Sequence, residues 1–223
     1  MSFFRAVSFL FLLPAVFSAS CRKAPSGIIV LCAGDSLTEQ GYPRYLKAAL
    51  GKSGVRSRIL NCGRSGNTSR EYLAYLRKAK DTLGKERPDI VLIELGTNDV
   101  RIDGDHASNQ AFEENLRAII AIFRDSRNRA GEPPEILLAA VPPVPRGTPF
   151  PFGPESPDRV TADINPVVEA VSRSLKAGFV DNYSLFARSP VLLPGVHPSP
   201  AGYRAMAENW ARAIRSKLPR QGR

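Results

Sequence analysis

The segment Gly34-Asp35-Ser36-Leu37 stands directly behind an apolar, β-branched run, and a serine at such a strand-to-helix turn can present its hydroxyl as a nucleophile. Alone it is an ordinary turn, since glycine, aspartate and serine all favour turns. Three more segments alter that reading. Asn61-Cys62-Gly63-Arg64-Ser65-Gly66-Asn67 carries glycines that let a backbone N–H come close to a substrate oxygen. Gly96-Thr97-Asn98-Asp99 offers a side-chain amide able to donate to a developing oxyanion, although an isolated asparagine there more often caps or turns the chain. Gly195-Val196-His197-Pro198-Ser199 places one of only two histidines just ahead of the last helical pattern, and a serine nucleophile needs such a base. Together the four segments hold the parts for acyl transfer through a serine.

Short apolar runs alternate with amphipathic stretches along the chain, the pattern of parallel strands joined by crossover helices. Strands are expected over residues 28–32, 55–60, 90–95, 136–141 and 179–180, and their near-continuous hydrophobicity implies burial on both faces. Helices are expected over 42–50, 69–83, 107–129 and roughly 162–176. For the last helix Ser199 is the N-cap and Pro200 the first helical residue, while Tyr203, Met206, Ala207, Trp210 and Ile214 fall on one core-facing stripe. Residues 142–157, with seven prolines and two glycines, read as one long loop that follows a strand end and borders the site. Ligands of open α/β sheets bind beyond the carboxyl ends of the strands, and all four segments fall there.

A length of 223 residues with 43% hydrophobic content fits one domain with a sizeable core. Residues 1–20 have the form of a signal peptide: Arg5, then an apolar run from Ala6 to Phe17 too short to span a bilayer, then the small residues Ser18-Ala19-Ser20. Cys21 sits where a bacterial lipoprotein carries its acylated cysteine. Ser18 replaces the aliphatic residue usual three positions earlier, so lipid attachment at Cys21 and simple secretion both stand. Either route exports the protein, to the periplasm, the exterior or a membrane surface. Residues 21–27 read as a short linker and 219–223 as a basic tail. With Cys21 set aside, Cys32 and Cys62 remain, and the sequence does not decide whether they bridge. The net charge of +10 suits a solvated basic surface. There is no zinc-ligand spacing and no aromatic interleaving among the Lys and Arg residues, which argues against nucleic acid as a partner.

In this order the segments resemble the SGNH (GDSL-type) hydrolase family, through Gly-Asp-Ser-Leu, Asn-x-Gly-x-x-Gly, Gly-Thr-Asn-Asp and His-Pro followed by Ala-Gly-Tyr, over residues 28–218. The resemblance implies an α/β fold, a flavodoxin-like three-layer α/β/α sandwich on a mainly five-stranded parallel sheet. It also implies Ser36 as nucleophile, His197 as base, and an oxyanion hole from the N–H groups of Ser36 and Gly66 with the amide of Asn98. Asp35 and Asp99 are then structural, and no cofactor or metal is required. The family usually has an aspartate three residues before the histidine, where this chain has Pro194. In a serine protease, disabling that acid costs about 10⁴-fold in turnover. The expected substitute is a Ser-His dyad in which the carbonyl of Leu193 or Pro194 accepts the Nδ1 proton of His197; carboxylates from Asp181 or Glu39 are the alternatives.

His106, in Asp103-Gly104-Asp105-His106, belongs to a polar cluster read as a solvated loop rather than a metal site. Arg64, Arg101 and Arg146 each follow a strand end and can draw in an anionic substrate, but with 31 basic residues in 223 such positions need no function. The sequons at Asn67 and Asn182 read as chance matches. The expected function is an exported or lipid-anchored serine hydrolase acting on a small-molecule ester or lipid, of the acyl-ester, lysophospholipid or acetylated-sugar class. Its rival is a lipid- or glycan-binding protein of the same fold that has lost turnover with the acid.

Overall fold

The structure is a computed structural model that describes residues 27–104 and 108–219. The export segment, Cys21 and His106 lie outside the described residues.

Five parallel strands, β1 Ile28–Gly34, β2 Ser57–Gly63, β3 Ile90–Glu94, β4 Glu135–Ala140 and β5 Gly178–Asp181, form one sheet in the order β2-β1-β3-β4-β5. This is the flavodoxin-like order. It reverses direction between β1 and β3, so the crossovers leave opposite sides there and open a crevice at the carboxyl ends of those two strands. The helices are α1 Ser36–Glu39, α2 Pro43–Gly51, α3 Ser69–Lys85, α4 Asn109–Asp125, α5 Ser156–Arg159, α6 Asn165–Ser174, α7 Asn182–Ala187 and α8 Pro200–Lys217.

Two apolar cores sandwich the sheet. Val30 and Cys32 of β1 pack with α2, α7 and α8, while Leu31 and Ala33 pack with α3, α4 and α6. The period-2 alternation of a strand is what sends successive residues into different cores. The stripe expected on the last helix is buried, and its Trp210 stacks on Tyr42 with ring centroids 5.7 Å apart. The same alternation settles the cysteines: Cys32 lies in the α2/α8 core and Cys62 in the opposite one, and both are free thiols.

β1 and β2 run further than expected, to Gly34 and Gly63, which pair directly in the register. That pairing brings the ends of the first two chemical segments side by side. α4 is shorter than the 107–129 expected of it. Ser108 caps its start through the Ala111 N–H, and Ser126 leaves helical geometry at ψ 160° with its Oγ donating to Phe123 O at 2.6 Å. Beyond it Arg129 is drawn off to Asp89 at 2.8 Å and to the Gly27 carbonyl at 2.6 Å. The proline-rich stretch also ends earlier than expected, because Pro157 sits in the first turn of α5, where a missing N–H costs nothing. A single π-turn, Val160–Ile164, then leads into α6. Pro166 supplies the physical cause: it cannot donate to the carbonyl four residues back, and its ring crowds that carbonyl, so the helix widens by one residue.

Candidate active site

Ser36 is the first residue of α1, and Asp35 caps that helix by accepting the Leu37 N–H at 3.0 Å. Gly34 is required just before it, because a Cβ there would lie 2.2 Å from Thr38 Oγ1 and 2.5 Å from the Glu94 carbonyl. Asn61 fastens the turn from the neighbouring strand. Its Nδ2 donates to Thr38 O at 3.2 Å and Glu39 O at 2.8 Å, and its Oδ1 accepts the Gly63 N–H at 3.0 Å. Asp35 is wholly buried. Burial, reinforced by the Asp99 carboxylate and opposed by the Leu37 N–H, pushes its pKa up to about 7.

Asn98 opens a 3-10 turn, Asn98–Val100, past the end of β3. Its Nδ2 donates to Asn67 O at 3.0 Å and, over a longer 3.4 Å, to Asp35 Oδ2. The next residue, Asp99, accepts the Ser69 N–H at 3.0 Å and the Ser69 hydroxyl at 2.5 Å, which ties this turn to the start of α3. Thr68 and Glu71 close a capping box at the same helix end. Gly66 has φ +79°, a left-handed conformation that glycine alone adopts without strain. Arg101 holds that peptide by donating Nη1 to Gly66 O at 3.1 Å while its other nitrogens bind Asp103 at 2.8 and 2.5 Å. Among the described residues the backbone N–H groups of Ser36 and Gly66 have no acceptor. Two amide donors and the Asn98 amide thus line one pocket with the Ser36 hydroxyl.

His197 Nε2 lies 2.8 Å from Ser36 Oγ, the distance for proton transfer between them. The segment carrying it is fixed on both sides. Val196 packs against the core, Ser199 N–H donates to Leu192 O at 2.9 Å, and Ser199 Oγ caps α8 by accepting the Gly202 N–H at 3.2 Å. The ring itself is exposed, and among the described residues Nδ1 has no acceptor. The carbonyls of Leu193 and Pro194, expected to take that proton, do not do so. Asp181 is committed to capping α7 through the Ser184 N–H at 2.8 Å, and Glu39 accepts the Ser65 N–H at 2.9 Å and the Ser65 hydroxyl. Among the described residues the pair therefore stands without a third protein group.

Ser36, Gly66, Asn98 and His197 open on a cavity of about 600 Å³, one side of which is made by residues 145–152 of the loop after β4. Of the three arginines considered from sequence, only Arg146 lines it, and it is paired with Asp158 at 2.5 Å. Arg64 lies over the Tyr75 ring, 4.2 Å from its centroid, and Arg101 serves the Gly66 loop. Asn182 is fully buried, so its sequon is closed to a glycan in the folded chain. Sequence reasoning missed Gln40 and Ser65 at the pocket edge, joined by a 3.0 Å hydrogen bond. It also passed over Glu94, which is completely buried with the Asn182 and Trp210 side chains facing its carboxylate. Burial first, and Asp35 second, push the Glu94 pKa well above the carboxylate range. A single acid at the end of an otherwise apolar strand was the available signal.

The GDSL-like lipase/acylhydrolase family matches this chain over residues 32–205. An acetylxylan esterase of Xylanibacter ruminicola is 28% identical over 220 residues, covering 84% of this chain and 43% of its own length. The chain thus spans less than half of that relative. Among solved structures, the acetylxylan esterase Axe2 from Geobacillus stearothermophilus is similar with a TM-score of 0.67 at 23% identity, covering 85% of this chain and 94% of Axe2. The aryl esterase of M. smegmatis gives a TM-score of 0.68 at 22% identity, covering 86% and 100%. At such identities the likeness is one of fold.

Proposed function

Because the chain belongs to the GDSL-like lipase/acylhydrolase family, we propose that it hydrolyses carboxylic esters through an acyl-enzyme on Ser36. The observation that carries this reading is the 2.8 Å approach of His197 Nε2 to Ser36 Oγ, beside backbone N–H groups that have no acceptor among the described residues. Ser36 Oγ attacks the ester carbonyl and passes its proton to His197 Nε2. The carbonyl oxygen becomes an oxyanion held by the N–H groups of Ser36 and Gly66. Asn98 Nδ2 joins them by exchanging its long 3.4 Å contact with Asp35 for the oxyanion. His197 returns the proton to the departing alkoxide, and water then enters by the same path in reverse, releasing the acid and restoring Ser36. The exposed imidazolium keeps its Nδ1 proton, which hydrogen-bonds to solvent rather than to a carboxylate. The substrate is an acyl ester, a lysophospholipid or an acetylated sugar, and the chain works outside the cytoplasm after cleavage before Cys21, whose acylation would hold it at a membrane. Mass spectrometry of the mature N-terminus tests the export and the anchor. Hydrolysis of p-nitrophenyl esters beside Ser36→Ala and His197→Ala tests the chemistry, with both variants expected at background.

A second reading, a binding protein of this fold without turnover, draws on one observation, that His197 Nδ1 has no acceptor among the described residues. Background rates for the unaltered chain on every ester, with retained ligand binding, would favour it.

A further inference from the structure

The wall of the pocket is chemically lopsided. Residues 145–152 contribute five apolar residues in a run of eight, Pro145, Pro149, Phe150, Pro151 and Phe152 among them, and Val196 faces the same space. Polar groups gather instead where the reaction would occur, at Ser36, Gly66 and Asn98. The one arginine of the lining, Arg146, has its charge answered by Asp158. Phe150 is 73% exposed, an unusual position for a phenyl ring.

This wall is built rather than loose. Ile102 N–H donates to Pro151 O at 2.9 Å, Arg101 and Phe152 form an antiparallel bridge, and Phe152 N–H closes on Pro149 O at 3.2 Å. Ser156 Oγ accepts the Gly153 N–H at 3.0 Å and donates to the buried Val100 carbonyl at 2.6 Å. Val100 ends the turn that begins at Asn98, so the apolar wall is registered against the same turn that presents the oxyanion amide. A pre-formed apolar surface binds an apolar group without first being ordered. A cavity of about 600 Å³ is in the range for a drug-sized ligand, and an acetyl group fills only a small part of it.

We propose that the pocket selects esters bearing a bulky apolar group, an aryl or medium-length alkyl chain, and that Phe150 is the residue that sets this preference. The proposal rests on ester hydrolysis at Ser36 and narrows it: the apolar group lies along residues 145–152 while the carbonyl points at Asn98 and Gly66. Acetylated sugars, whose faces are polar, are then poor substrates.

Two matched comparisons test it, p-nitrophenyl octanoate against the acetate for the acyl side, and benzyl acetate against ethyl acetate for the alcohol side. On at least one side the bulkier ester should have kcat/KM higher by about 10-fold or more, the scale on which an apolar pocket discriminates. Phe150→Ala should erase most of that ratio by lowering kcat/KM for the bulky ester several-fold more than for the small one, and Phe150→Leu should restore part of it. Ratios near one on both sides, or ratios unchanged in Phe150→Ala, overturn the proposal. If the unaltered chain turns over no ester at all, hydrolysis is what has failed, and calorimetry with Ser36→Ala decides the pocket. Octanoate ester bound about 10-fold tighter than acetate, with the difference lost in Ser36→Ala/Phe150→Ala, supports the assignment; equal or absent binding overturns it.

Discussion

Ser36 sits in a turn fixed by hydrogen bonds and close packing, with the buried Asp35 capping its helix, Asn61 bridging from β2 and Gly34 pressed against Glu94. His197 is the exposed residue of a segment held by the packing of Val196 and the cap made by Ser199, and among the described residues no protein group orients its ring from behind. In the proposed mechanism the nucleophile and its oxyanion donors are preorganised by the fold, whereas the tautomer of the base is left to water. An exposed imidazolium is stabilised by solvent, but solvent must reorganise as the charge forms, and a fixed carboxylate need not. Any catalytic weakness of the molecule therefore lies at the base.

The comparison breaks outright if either half works without the other. Ser36→Ala should lower kcat by up to about 10⁶-fold, with His197→Ala close to it and the double variant no worse than the single ones, as for residues acting as one unit. Steady-state rates that fell additively would show two independent contributions. On the better-ordered side, Asn98→Ala removes an oxyanion donor and should cost about 10²–10³-fold in kcat with KM nearly unchanged. A loss confined to KM would place Asn98 in ground-state binding.

The weaker side is sharpened by repair. Pro194→Asp returns a carboxylate to the position that the family resemblance assigns to the acid, and it should raise kcat by about 10-fold, well short of the roughly 10⁴-fold value of a native acid. Unchanged kcat across a pH series would mean that the segment does not aim position 194 at the ring.

The smallest effect concerns stability. Asp35 has its pKa pushed up to about 7 in the folded chain, against about 4 for an unfolded aspartate, so the native state holds an extra proton through that window. Its contribution to stability is full below about pH 4 and is lost as pH rises through about 7. Asp35→Asn keeps the cap and removes the titration, so urea unfolding at several pH values should give a flatter profile. The buried Glu94 is shifted in the same direction and leaves a residual slope.

Much of this arrangement was legible beforehand. The five apolar runs became the five strands, but only the central β1, β3 and β4 are buried almost throughout, as strands covered on both faces must be, whereas the edge strands β2 and β5 leave residues exposed. The helix beginning at Pro200 was legible from its cap and stripe. The bounds of α4 and the start of the helical run at Ser156 were not, since tertiary partners of Arg129 and the placement of Pro157 and Pro166 decided them.

By itself the sequence determined the order of strands and crossovers and the residues that gather at their carboxyl ends, because local periodicity and turn chemistry act over a few residues. Only the tertiary structure decided that Cys32 and Cys62 face opposite cores, that Arg101 serves Gly66 rather than a substrate, that Asp181 and Glu39 are committed elsewhere, and that Glu94 is buried beside Asn182 and Trp210. Each of these depends on distances between residues far apart in the chain, and spacing along a sequence carries no such distance.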